Sequence, residues 1–173
     1  MPKVAIYLFC LLAATHAAFS QGGGVQWQTA DKLAGYSFNS LDKPILVEVY
    51  TNWCHYCKLM DGTTWRHTEL ANYVNENFYA VKLNAEAKDS LIWNGKQFYY
   101  SPRYKVNMLA AALLKGNMVY PSTVIISPDG DVQVLRGALK AAELQLALTY
   151  YGSGSYRRQD FEAYMRGFSR TWR

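Results

Sequence analysis

The segment Trp53-Cys54-His55-Tyr56-Cys57-Lys58 holds the residues whose types and spacing could do chemistry. Two thiols stand three positions apart, directly after the short apolar run Ile45-Leu46-Val47-Glu48-Val49-Tyr50. They open a stretch in which Tyr56, Leu59 and Met60 recur at helical spacing. A thiol in the first turn of a helix meets unpaired backbone N–H groups and the positive end of the helix dipole, which favour thiolate over thiol. Cys54 is therefore the expected nucleophile. Cys57, on the same helical side and more deeply buried, lies within disulfide reach and can attack a mixed disulfide to release the bound partner. The alternative use of such a pair is zinc, with His55 or His67 completing the ligands, but the chain has neither a second Cys-x-x-Cys nor a paired His motif.

The flanking pattern supplies the elements that must position these thiols. Pro44 followed by residues 45–50 reads as a strand buried on both faces. A helix from Cys54 breaks at Asp61-Gly62, a second helix covers residues 68–77, and residues 78–83 form another strand. Asn94-Gly95 is a turn between residues 91–93 and 98–100, a small hairpin. Residues 106–115 read as a helix closed by Gly116. Residues 123–126 and 132–135 flank the turn Pro128-Asp129-Gly130-Asp131, and a helix over 139–151 stops at Gly152-Ser153-Gly154. Ahead of all this, residues 25–27 suggest an edge strand and residues 29–35 a helical turn. The order specifies an α/β sandwich with a mixed central sheet flanked by helices, carrying an insertion and a C-terminal helical extension. In that extension Phe161, Tyr164, Met165 and Phe168 recur at helical spacing among arginines. It reads as an amphipathic helix packed on the domain, or as a docking surface for an acidic partner.

With Trp-Cys-x-x-Cys following that strand, residues 44–60 resemble the active site of the thioredoxin superfamily, and the likeness extends over residues 25–151. It implies a thioredoxin-like fold and roles for further residues. Glu48, six residues before Cys54, matches the buried acid that relays a proton to and from the second cysteine, and burial in a strand would raise its pKa enough to exchange protons near neutral pH. Lys82 matches the lysine beside that acid. Tyr120-Pro121 resembles the family's cis-proline loop, where the backbone of Val119 and Tyr120 would pair with an extended substrate peptide. Trp53 and Tyr56 are expected as an exposed aromatic rim. His55 stands directly after the first cysteine, where thioredoxins carry Gly, while disulfide isomerases place a His directly before the second. An imidazolium there would still stabilise the thiolate and make the disulfide more oxidising, without fixing the direction of electron flow.

Composition bounds the remainder. The 173 residues are 50% hydrophobic, 18% charged and 15% aromatic, which fits one globular core and excludes disordered and collagen-like chains. A net charge of +5, dispersed along the chain, makes no case for nucleic acid. Residues 1–20 read as a cleavable secretory signal: Lys3, an apolar run over 4–14, then Ala18-Phe19-Ser20. About 11 apolar residues fall short of the roughly 20 that span a bilayer, so no stable membrane insertion is expected. Cleavage after Ser20 removes Cys10 and His16 and leaves Cys54 and Cys57 as the whole thiol inventory, with a flexible leader over 21–24, a domain over 25–151 and the extension over 152–173. The expected protein is a periplasmic or secreted thiol–disulfide oxidoreductase without cofactor or metal. It would act on protein or peptide disulfides and dithiols and exchange electrons with a membrane thiol–disulfide partner. The absence of a flanking dimerisation domain favours a reductant or general exchange protein over an isomerase. The competing expectation is a non-catalytic binding module or chaperone on the same fold.

Overall fold

The computed structural model describes residues 23–172; the expected signal segment and the start of the leader lie outside them. Five apolar or β-prone residues of six, without a polar alternation, make Ile45–Tyr50 (β1) a strand covered on both faces. His55–Gly62 (α1) and Thr68–Asn77 (α2) follow, separated by a 3-10 turn over Thr64–Arg66. The expected break at Asp61-Gly62 falls at the end of α1, where Thr63 Oγ1 donates to Leu59 O at 2.7 Å. The chain returns as Tyr79–Asn84 (β2), parallel to β1 with Glu48 opposite Lys82.

Leu91–Trp93 (β3) and Lys96–Phe98 (β4) pair around Asn94-Gly95, and both turn residues have positive φ, 49° and 72°, as a two-residue hairpin turn requires. Tyr100–Ser101 (β5) pairs with Val106–Asn107 (β6), so the helix expected from Val106 starts only at Met108–Leu113 (α3). Asn107 sets that boundary. Its Oδ1 accepts from the Leu109 amide at 3.0 Å as an N-cap, while its Nδ2 donates to Ala87 O and Asp89 O. Ser122–Ile126 (β7), Val132–Arg136 (β8) and Ala141–Gly152 (α4) complete the domain, and Phe161–Gly167 (α5) follows.

The main sheet runs β2-β1-β7-β8, with β7 antiparallel to both of its neighbours. Successive side chains along β1 point to opposite faces. Ile45, Val47 and Val49 join one buried layer with Leu109, Leu113 and Trp93, while Leu46 joins the other with Met60, Trp65, Leu70 and Leu148. Glu48, two residues beyond Leu46, therefore projects into the layer beneath α1. The edge strand expected at 25–27 is reduced to a single parallel bridge, Gln28 to Val81. At the far end α5 leaves Phe161 and Met165 exposed, and the tail is anchored by Trp172, whose amide and that of Thr171 both donate to Gln145 Oε1. Gly152 permits a close approach there, since a Cβ on it would lie 2.8 Å from Tyr73 and Phe78 ring carbons.

Candidate active site

The end of β1 delivers Cys54 to the start of α1. Cys54 N donates to Thr51 O at 3.2 Å and its residue takes the N-cap position, with Sγ accepting from the Cys57 amide at 3.1 Å. Cys54 and Cys57 form a disulfide across a Cα–Cα distance of 5.3 Å. Both are buried, Cys54 with 5% and Cys57 with 1% of its surface exposed, so what reaches the disulfide reaches Cys54 first. Once the disulfide opens, the Cys54 sulfur sits where an amide donor and the helix dipole both favour negative charge. In the disulfide form neither sulfur is available to zinc, and among the described residues no group of three or more His, Cys, Asp or Glu side chains is arranged to hold a metal.

Glu48 is fully buried, and neither of its carboxyl oxygens has a hydrogen-bond partner. Lys82 Nζ stands 3.4 Å from Glu48 Oε2, an ion-pair contact, but gives its hydrogen bond to Asp61 Oδ1. Burial lifts the Glu48 carboxyl from 4.5 to about 7; the Lys82 charge opposes this, the Asp61 charge adds to it, and the nearby Trp65 indole opposes it. Partial burial pulls Lys82 down, but its contacts with Asp61 and Glu48 outweigh that and hold the ammonium above its ordinary range. The Lys82 ammonium also lies 5.0 Å from the Tyr50 ring centroid and 5.9 Å from that of Trp27. Nothing in the linear pattern marks Asp61 or Trp65 as members of this group. Thr123, opposite Glu48 across the β1–β7 pair, adds a buried hydroxyl without a partner.

The aromatic residues meet at the rim. Trp53 and Tyr56 are 66% and 61% exposed. The Trp53 indole donates to Glu86 Oε1 at 3.0 Å, a contact made across two loops that the sequence pattern does not reveal. Its ring meets the Tyr120 ring edge-on with centroids 6.0 Å apart. The Tyr120–Pro121 peptide bond is cis. Within this loop the Val119 amide donates to Asn117 O at 3.0 Å, and the Val119 carbonyl accepts from Ser122 Oγ at 2.7 Å. His55 is exposed beside Tyr56, with ring centroids 5.7 Å apart. On the other side of α1, Tyr56, Leu59 and Met60 face Leu139 and Ala141 across an apolar cleft of about 620 Å3.

Residues 37–152, a stretch that contains every group just described except the Trp27 ring, match the family model of the thioredoxin-like domain. The chain belongs to the thioredoxin-like family. This thioredoxin-like domain also resembles a thioredoxin-fold protein from Helicobacter pylori, at 18% identity and a TM-score of 0.55 over 73% of this chain and 84% of that one. A structure described as DsbH oxidoreductase matches at 15% identity and a TM-score of 0.52, over 77% of this chain and 88% of that one. A putative disulphide-isomerase from Bacteroides thetaiotaomicron matches at 24% and 0.51, over 79% of this chain and 98% of that one. At these identities the likeness establishes the fold. Among curated proteins, an uncharacterized protein from Caenorhabditis elegans is 23% identical over 105 residues, which are 61% of this chain and 13% of the relative. The thioredoxin-like chain thus spans only a small part of the length of that relative.

Proposed function

We propose that this thioredoxin-like domain is a thiol–disulfide oxidoreductase that reduces or exchanges disulfides in extracytoplasmic proteins. The observation that carries the reading is a disulfide closed at the N-cap of α1, together with a fully buried carboxyl, Glu48, on the strand that leads into it. In the reducing direction the Cys54 thiolate attacks one sulfur of a substrate disulfide. The substrate S–S bond breaks, and its second sulfur leaves as a thiolate. Cys57 then gives its proton to the Glu48 carboxylate and attacks Cys54 Sγ, which expels the remaining substrate sulfur as a thiolate. Two electrons pass from the cysteine pair to the substrate, and the two substrate thiolates take up protons. Run backwards, the Glu48 carboxylic acid protonates the Cys57 thiolate as the disulfide is opened at Cys54. A group with a pKa near 7 serves both directions because both of its forms are populated.

Trp53, Tyr56, Tyr120 and the cis bond at Pro121 form the platform for an extended substrate chain, and the cleft beside α1 accepts an apolar side chain from it. His55, next to Cys54, favours the thiolate when protonated. The signal-like pattern of residues 1–20 supports action outside the cytoplasm. Electrons would then come from a membrane thiol–disulfide partner. Reduction of insulin disulfides by dithiothreitol tests the reading. The protein accelerates the reaction, and Cys54→Ser abolishes the acceleration. A wild-type protein without turnover, or a serine variant with full turnover, would leave only a non-catalytic binding module.

A further inference from the structure

Glu48, Lys82 and Asp61 form a line from the interior to the solvent, with side chains 0%, 23% and 38% exposed. One cation stands between two carboxylates, and it is not shared evenly. Asp61 receives the Lys82 hydrogen bond, whereas Glu48 has an ion-pair contact only, at 3.4 Å, and no hydrogen bond to either oxygen. Asp61 follows Cys57 by four residues on α1, so both lie on the helical side turned toward the sheet. Lys82 and Asp61 already neutralise one another, so an ionised Glu48 would be an excess negative charge in a dry layer, where such charge is costly.

We propose that Asp61 is a positioning residue: by taking Lys82 as its donor it withholds that hydrogen bond from Glu48 and leaves the buried carboxyl with an ion-pair contact only. The inference deepens the proton relay proposed above and rests on it for its consequence in exchange. The groups facing Glu48 are Lys82 from β2, Asp61 from α1, Trp65 from the following turn and Thr123 from β7. Of these only Lys82 and Asp61 carry charge; in the reduced protein the thiols of α1 add two titratable groups. The half-exposed Asp61 keeps contact with solvent while it accepts the Lys82 hydrogen bond, which makes it the carboxylate that retains the lysine. Without its charge, Lys82 has Glu48 as its one carboxylate, and the proton on Glu48 is held less tightly.

The test is a 13C carboxyl titration of Glu48 in the oxidised full chain, with Glu48→Gln used to assign the resonance and the pH profile of insulin reduction recorded in parallel. In Asp61→Asn the Glu48 midpoint falls by about 1 pH unit or more. In a Lys82→Met background the same substitution moves it by less than half as much, because the lysine carries the effect. A midpoint that stays in place in Asp61→Asn overturns the inference. So does an equal displacement in both backgrounds, which would mean that Asp61 acts on Glu48 directly. If the resonance moves as expected but the pH profile of insulin reduction ignores both Asp61→Asn and Glu48→Gln, the Asp61 device stands and the relay in the proposed function falls.

Discussion

Replacing Glu48 by Gln keeps the shape of the side chain and removes its titration, so it isolates what the buried carboxyl costs the fold. Burial raises this group from 4.5 to about 7. At about 1.4 kcal/mol for each pKa unit, that gap amounts to about 3 kcal/mol. The sign follows from the direction of the change. A carboxyl whose folded pKa lies above its unfolded one binds its proton more tightly when folded, so its contribution is complete below about 4.5 and is lost as the pH rises through about 7. Urea denaturation of the oxidised wild-type and Gln proteins at a series of pH values between 4 and 8.5 reads this directly, because every other titrating group is common to both chains. The two proteins should be close in stability at pH 4. By pH 8.5 the Gln variant should be more stable by about 3 kcal/mol, the difference opening between pH 5 and 7. A difference independent of pH would refute the argument that Glu48 is a buried, undercompensated carboxyl. The same variant should slow disulfide exchange at neutral pH, a loss of relay accompanied by a gain in stability.

Cys57→Ser leaves the attacking sulfur and removes the resolving one, so incubation with a disulfide substrate should trap an adduct on Cys54, visible by mass spectrometry and released by dithiothreitol. Trapping on Cys57 in the Cys54→Ser protein instead would reverse the assigned roles. Asn107→Ala removes the N-cap of α3 together with two side-chain donors to backbone carbonyls, and should cost about 2 kcal/mol in urea unfolding. A loss below roughly 0.5 kcal/mol, the size of an ordinary surface change, would mean that Asn107 does not hold the β6–α3 junction.

Local pattern suffices where an element is decided by its own residues. Thr68–Asn77 is helical as its spacing of Leu70, Tyr73 and Val74 predicts, and Asn94-Gly95 makes its turn because both residues accept positive φ. The cysteine pair and the strand ahead of it are legible for the same reason. Asp61 is not, because Asp-Gly reads as a turn and its partner lies 21 residues away on β2. Its importance arises only when α1 is laid over the sheet. Glu86 is hidden likewise, since its contact with Trp53 joins the ends of β1 and β2. Asn107 shifts the start of α3 by capping it, a choice that depends on the carbonyls of Ala87 and Asp89 being within reach. The tail shows the same limit: periodicity singles out Phe161 and Met165, which remain exposed, whereas the buried anchor is Trp172, held by Gln145 of α4.

A disulfide can serve as a redox centre only if cellular thiols can open and re-form it. Equilibration of the Cys54–Cys57 pair with glutathione or dithiothreitol buffers of known potential therefore tests the account most directly. The pair should cycle reversibly with a potential between about −270 and −120 mV. A pair that stays oxidised below about −300 mV, in the range of structural disulfides, would contradict it.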